Sequence, residues 1–202
     1  MTRLVSGFLV RLMRLVTGVR IRWARDLPPT GPRIYVANHS SHIDGLVVWA
    51  ALPPEERARA RPVAASDYWA GSRFKRYLAR DVFGAVFVSR GAADRDTIPK
   101  LTSVLDRGDV LILFPEGTRG DGETVRRFRS GLYHLVHARP EAEVVPVRLE
   151  NLARSLPKGR VVPVPILGRA TFGEPFHLQE DEGRDAFLER ARQSVAALGG
   201  TS

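Results

Sequence analysis

Residues 97–119 read TIPKLTSVLDRGDVLILFPEGTR, and this stretch decides the fold. It predicts a helix from about Thr97 to Arg107 that stops at Gly108. Val110 to Phe114 follows as a continuous apolar run, which is typical of a strand buried on both faces. A helix that leads directly into a buried strand predicts an α/β protein with a largely parallel or mixed sheet.

The same alternation extends along most of the chain. Further strands are predicted at Arg33 to Ala37, Pro62 to Ala65, Ala85 to Ser89, Val144 to Leu149 and within Val161 to Phe172. Further helices are predicted at Gly45 to Leu52, near Ser72 to Arg80, at Ser130 to Ala138 and at about Asp185 to Leu198. A chain of 202 residues suits one compact domain. We therefore expect a single α/β domain over residues 28–202, with helices flanking its sheet.

The N-terminal segment has a different pattern. When this segment is placed on a helical wheel at about 100° per residue, one face is apolar and Arg3, Arg11 and Arg14 lie on the opposite face. The apolar face consists of Leu4, Val5, Phe8, Leu9, Leu12, Leu15, Val16 and Val19. No acidic residue precedes Asp26. Residues 1–27 are thus predicted to be an amphipathic helix and lead-in that lies on a membrane surface. The alternative is a helix packed on its own domain.

The composition excludes some kinds of catalytic and binding site. The protein has no cysteine, which removes thiol nucleophiles, disulfides and cysteine metal ligands together. Its formal net charge of +9 predicts attraction to a polyanion such as nucleic acid, an anionic lipid surface or a phosphorylated substrate. The basic residues are dispersed and form no nucleic-acid motif, so we expect no nucleic-acid partner.

A first polar motif occupies Asn38 to Asp44, where a predicted strand gives way to a helix. A carboxylate at Asp44 can fix the tautomer of His39 and leave its other ring nitrogen free to accept a proton. The alternative is that Asp44 caps the following helix. His42 lies between the two, but the chain holds only five histidines and no further cluster, so we expect no metal site.

A second motif, Phe114 to Arg119, directly follows the buried strand. It supplies a carboxylate at Glu116, a bare backbone at Gly117, a hydroxyl at Thr118 and a guanidinium at Arg119, which can grip a phosphate bidentately. Taken alone, it is also typical of a turn that ends a strand. Sites in α/β sheets lie beyond the carboxyl ends of the strands, so we expect both motifs to share one cleft.

Together the two motifs resemble those of the glycerolipid acyltransferase family, which includes lysophosphatidic acid acyltransferase. Weaker matches at Gly84 to Arg90 and Val145 to Val147 extend the resemblance over roughly Ile34 to Val147. It implies a glycerol-3-phosphate acyltransferase-like fold in which His39 is the catalytic base and Asp44 orients it. It also implies substrate binding by Glu116, Gly117 and Thr118, with Arg90 joining Arg119 on the acceptor's phosphate.

The resemblance implies a membrane enzyme of phospholipid biosynthesis. It would move a fatty acyl group from acyl-CoA or acyl-acyl carrier protein to a lysophospholipid, with 1-acyl-sn-glycerol-3-phosphate as the expected acceptor and phosphatidic acid as the product. No metal or other cofactor is expected, and the protein would sit peripherally on the cytoplasmic face of the cell membrane. Family members often carry Asp where Ser89 stands and a Lys-x-Glu stretch where Ala65 to Trp69 stands. A different lyso-lipid acceptor, or a non-catalytic lipid-binding module, therefore remains an alternative.

Overall fold

The computed structural model describes residues 7, 10, 11, 13, 18–25, 31–65, 80, 83–88, 96–152 and 168–200. Within these ranges the strands are Arg20–Trp23 (β1), Arg33–Ala37 (β2), Ala60–Ala65 (β3), Val86–Val88 (β4), Val110–Leu113 (β5), Glu143–Glu150 (β6) and Arg169–Phe172 (β7). The helices named from here on are Asp44–Ala51 (α1), Pro54–Arg59 (α2), Thr97–Asp106 (α3), Gly131–Ala138 (α4) and Arg184–Ala197 (α5).

The seven described strands form one sheet in the order β1-β7-β6-β2-β5-β3-β4. All neighbours run parallel except β6 and β7, which are antiparallel. β2 therefore lies at the centre, between β5 and β6, with Val36 opposite both Leu113 and Pro146. Because these three central strands are parallel, the loops that follow β2 and β5 leave the sheet at the same edge.

Both faces of the sheet are covered by apolar cores. Along β2, Tyr35 and Ala37 point into a cluster that includes α1 and Phe172. Ile34 and Val36 point into a second cluster, built with α3, α4 and α5. The central strands are mostly hydrophobic because each of their faces contacts a core. The predicted mixed sheet flanked by helices is confirmed.

Two elements were missed by the sequence analysis. The short helix α2 follows the predicted first helix directly. Arg20–Trp23 forms the edge strand β1, which pairs in parallel with β7. The sheet thus begins inside residues 1–27, which were predicted to be a helix and lead-in. The remaining predicted elements match the observed ones within the described ranges; residues 72–79, Ser89 and 161–167 fall outside them.

Of the predicted N-terminal helix, Gly7, Val10, Arg11 and Met13 are described, and all four are helical. Val10 is buried in the core cluster that includes α1, and Met13 packs against the same cluster. Part of this segment therefore lies on its own domain. Among the described residues, no helix combines the length and apolar character needed to cross a membrane. The amphipathic membrane-surface helix stays a prediction.

Candidate active site

His39, in the loop after β2, meets Asp44, the first residue of α1. Oδ2 of Asp44 lies 2.8 Å from Nδ1 of His39. The same oxygen accepts the backbone N–H groups of Ser40 at 2.6 Å and Ser41 at 2.8 Å. These donors precede the helix, so Asp44 closes the loop around His39 and is not a cap for α1. The predicted histidine–carboxylate pair is present.

The hydrogen bonds to Asp44 fix the tautomer of His39. An oxygen that accepts two backbone amides is that of a carboxylate, so it accepts the third hydrogen bond from Nδ1–H of the ring. In the neutral imidazole, Nε2 is then the nitrogen without a proton, which is the tautomer a general base requires. The Asp44 side chain is fully buried, whereas that of His39 is 24% exposed. The ring also stacks on Phe114 with centroids 4.5 Å apart.

Glu116 connects the second motif to the first. Its Oε1 accepts the backbone N–H of His39 at 3.0 Å, and the His39 carbonyl accepts the N–H of Gly120 at 2.7 Å. Burial raises the pKa of the Glu116 carboxyl, while the hydrogen bond from His39 acts in the opposite direction. Glu116 is buried, lies outside the lining of the cleft and supports the backbone of His39. Substrate binding by Glu116 stays a prediction.

An open cleft of about 880 Å³ begins at His39. It lies beyond the carboxyl ends of β2, β3 and β5, where the sequence analysis placed it. Much of its wall is apolar, formed by Leu46, Val63, Phe83, Val88, Ile98 and Leu113. Basic side chains, including Arg119 and Arg129, line another part. One cleft thus has both an apolar wall and a positively charged wall beside His39.

Only some of the other predicted site residues lie at the cleft. Gly117 and Arg119 line the cleft, and Nη1 of Arg119 contacts Nε2 of His42. Thr118 is exposed but does not line the cleft. Arg90 lies outside the described residues, so its predicted role on the acceptor's phosphate stays a prediction. Within the described parts of the chain, no three His, Asp or Glu side chains form a group that could hold a metal ion.

Two further residues, Asn38 and Arg129, make contacts that were not predicted from the sequence. The buried amide of Asn38 donates from Nδ2 to the Leu149 carbonyl at 2.9 Å and accepts the Leu149 N–H at Oδ1 at 2.7 Å. This pair ties the loop before His39 to β6. Arg129 donates its backbone N–H to the Pro115 carbonyl at 2.9 Å and lines the cleft. For Asn38, the signal is an Asn directly after a predicted strand. For Arg129, the only signal is a basic residue shortly before the glycine that begins a helix.

The fold places this chain among the α/β proteins, with a carboxylate-oriented histidine in a cleft at the carboxyl edge of the sheet. Comparison with known families is more specific. The model of the Acyltransferase family matches residues 18–150, and the chain belongs to that family.

Among the relatives, the 1-acyl-sn-glycerol-3-phosphate acyltransferase alpha of Mus musculus is 33% identical over 138 residues, covering 66% of this chain and 45% of the relative. The lyso-ornithine lipid O-acyltransferase of Pseudomonas aeruginosa is 34% identical over 109 residues, covering 52% of this chain and 38% of that protein. The chain thus spans less than half of the length of these two relatives.

The crystal structure of the 1-acyl-sn-glycerophosphate acyltransferase from Thermotoga maritima has a similar fold. The TM-score is 0.73 at 23% sequence identity, and the match covers 100% of this chain and 80% of the other. At this level of identity the likeness supports the fold alone.

Proposed function

We propose that the protein is an O-acyltransferase that moves a fatty acyl group from acyl-CoA or acyl-acyl carrier protein to the hydroxyl of a lysophospholipid. The proposed acceptor is 1-acyl-sn-glycerol-3-phosphate, which becomes phosphatidic acid. One observation carries the proposal: His39 is oriented by Asp44 at 2.8 Å in the wall of a cleft that also holds Arg119.

The proposed reaction needs one general base. Nε2 of His39 takes the proton from the acceptor hydroxyl while that oxygen attacks the carbonyl carbon of the thioester. A C–O ester bond forms, the C–S bond breaks, and the leaving thiolate takes the proton back from the imidazolium. Asp44 stabilises the imidazolium while it exists. Neither a metal nor a cofactor is required, because the acyl-CoA or acyl-acyl carrier protein is itself a substrate.

The cleft supports this substrate class. Its apolar wall, which includes Leu46 and Ile98, suits a fatty acyl chain. Burying each methylene group of such a chain is favourable by about 0.8 kcal/mol. Arg119 is exposed at the same cleft and can bind a phosphate. An acceptor with one acyl chain and one phosphate matches both features.

A second acceptor class has its own support. Some of the relatives are named lyso-ornithine lipid O-acyltransferases, in Pseudomonas aeruginosa and in Brucella abortus. The stretch Ala65 to Trp69 also departs from the Lys-x-Glu of many glycerolipid acyltransferases. We therefore keep lyso-ornithine lipid as the alternative acceptor, with the same base and the same donor.

We also propose that the protein acts peripherally at the cytoplasmic face of the cell membrane. The lysophospholipid acceptor and the acylated product both dissolve in that membrane. The net charge of +9 suits an anionic leaflet. On the helical wheel, Val10 and Met13 fall outside the apolar face predicted for the N-terminal segment, which includes Phe8 and Leu15. Their contact with the domain therefore does not use that face.

A transfer assay tests the proposed function. Purified protein is incubated with labelled acyl-CoA or acyl-acyl carrier protein and a panel of lyso-lipids, with His39→Ala in parallel. We expect labelled phosphatidic acid that depends on His39. Labelled free fatty acid alone would indicate a hydrolase, and equal transfer by His39→Ala would refute the assigned base. Product only from lyso-ornithine lipid would select the alternative acceptor.

A further inference from the structure

Arg129 lies directly against the turn of the second motif. A Cβ atom added at Gly117 would fall 2.7 Å from Cζ of Arg129 and 2.8 Å from its Cδ, so the guanidinium packs on the bare backbone of that glycine. The backbone of Arg129 is held at the same turn, since its N–H donates to the Pro115 carbonyl. The following helix, α4, begins two residues later. Arg129 is thus fixed at the turn through its backbone and packed on it through its side chain.

The guanidinium of Arg129 is also available to a ligand. Arg129 is exposed and lines the same cleft as His39 and Arg119. Two arginines at α4 and α5 are paired with acids: Arg139, directly after α4, with Asp106 at 2.5 Å, and Arg192, in α5, with Glu189 at 2.6 Å. The Arg129 side chain has no hydrogen bond or ion pair among the residues that the structure describes.

A phosphate monoester carries a charge of about −1.5 to −2 near neutral pH, so one arginine leaves it partly uncompensated. The sequence has no basic residue in Ala65 to Trp69. We propose that Arg129 is a specificity-determining residue that, together with Arg119, binds the phosphate of the acceptor. The inference rests on the proposed function, because it assumes a phosphate-bearing lyso-lipid in this cleft.

The turn itself explains why the two arginines converge. Gly117 has a φ of +72°, a conformation that glycine adopts without strain. With no side chain at Gly117, the Arg129 guanidinium can lie across the turn that carries Arg119. The bidentate geometry of two guanidinium groups would then fix both the charge and the orientation of the headgroup, leaving the acceptor hydroxyl to reach His39.

Steady-state kinetics of Arg129→Ala and Arg129→Lys test the assignment. Arg107→Ala is the control for net charge, since Arg107 is exposed at the end of α3 and does not line the cleft. For lysophosphatidic acid in neutral detergent micelles, we expect Arg129→Ala to raise the acceptor KM about tenfold or more, with kcat and the donor KM little changed. Arg129→Lys should recover part of the loss, and Arg107→Ala should behave as the wild type.

A monoacylglycerol with the same acyl chain removes the phosphate and completes the design. Its kcat/KM should be the same for the wild type and Arg129→Ala. An unchanged KM for lysophosphatidic acid in Arg129→Ala, or an equal loss on monoacylglycerol, would overturn the assignment.

Equilibrium binding of lysophosphatidic acid to His39→Ala and to His39→Ala/Arg129→Ala separates the two proposals. Arg129-dependent binding without any transfer by the wild type would refute the proposed function and leave the phosphate site standing. Efficient transfer with no dependence on Arg129 would refute only the phosphate site. No binding to the His39→Ala protein would refute the phosphate site as well.

Discussion

The backbone N–H of His39 donates to Oε1 of Glu116 at 3.0 Å, across 77 residues of sequence. This contact joins the loops after two neighbouring parallel strands, β2 and β5. The carbonyl of His39 is held as well, by Gly120. The imidazole is therefore positioned from both sides, through its ring by Asp44 and through its backbone by the second motif.

His39→Ala should lower acyl transfer by about 10²–10⁴-fold, because a positioned general base contributes that much. Asp44→Asn should lower kcat by a comparable factor, since the amide carries no charge to stabilise the imidazolium. Turnover with labelled donor and acceptor measures both. His177→Ala, an exposed histidine after β7, serves as the control. Transfer by Asp44→Asn at the wild-type rate would contradict the role of the pair.

Glu116→Gln should keep the hydrogen bond to His39, because the amide oxygen can replace Oε1. Burial raises the pKa of Glu116, so the folded state favours its protonated form. Protonated Glu116 therefore contributes to the free energy of unfolding below the ordinary pKa of 4.5. This contribution is lost as the pH rises through the higher pKa of the folded state. Glu116→Gln should therefore gain stability relative to the wild type as the pH rises.

Urea unfolding at pH values on either side of this range measures the difference. Glu141→Gln, at an exposed position, is the control and should show no such trend. Glu116→Ala removes the acceptor and should cost about 1–3 kcal/mol through the unpaired His39 N–H. A pH-independent difference between Glu116→Gln and the wild type would contradict the pKa direction.

Gly117→Ala should have two effects, a strained backbone conformation and a clash of the new methyl with Arg129. Gly108→Ala should have only the first. The two glycines have similar positive φ values, 72° and 76°, but only a Cβ at Gly117 meets other atoms. Gly108→Ala should therefore cost only the left-handed conformation, about 1–2 kcal/mol. Gly117→Ala should destabilise more and raise the acceptor KM, because the new methyl displaces Arg129. Equal losses of stability and unchanged kinetics would show that Arg129 does not pack there.

Asn38→Ala should destabilise the protein by about 1–3 kcal/mol, because it leaves the N–H and the carbonyl of Leu149 buried without their partners. Asn38→Asp should be at least as harmful, since it places a carboxylate oxygen against the Leu149 carbonyl. Urea unfolding of both variants measures this. An Asn38→Asp protein as stable as the wild type would contradict the assigned orientation of the amide.

Replacing Leu4, Phe8 and Leu15 by Gln should weaken binding to vesicles that contain anionic lipid by an order of magnitude or more, since each apolar side chain contributes to burial in the interface. Activity on a short-chain, soluble acceptor should be retained. Val10→Ala is the matched control, because Val10 is buried in the domain core and should affect stability instead. Equal loss of activity on soluble and bilayer-embedded acceptors would contradict surface anchoring.

Local patterns were sufficient for the alternation of strands and helices. The apolar run at Val110 to Phe114 predicted a strand buried on both faces, and β5 has this position at the centre of the sheet. Burial on both faces leaves a local record, because most residues of such a strand are apolar. The edge strand β1 leaves no such record, since its residues alternate between exposed and half-buried, and it was missed.

The sequence by itself determined the class of fold, the pairing of His39 with Asp44, and the edge of the sheet where the pair lies. Each depends on residues close together in the chain, where periodicity and strand ends are visible. Only the tertiary structure decided that Glu116 supports the His39 backbone, that Asn38 pairs with Leu149 111 residues away, and that Arg129 covers Gly117. The reason is that β2 lies between β5 and β6, so the contacts at its end come from distant parts of the chain.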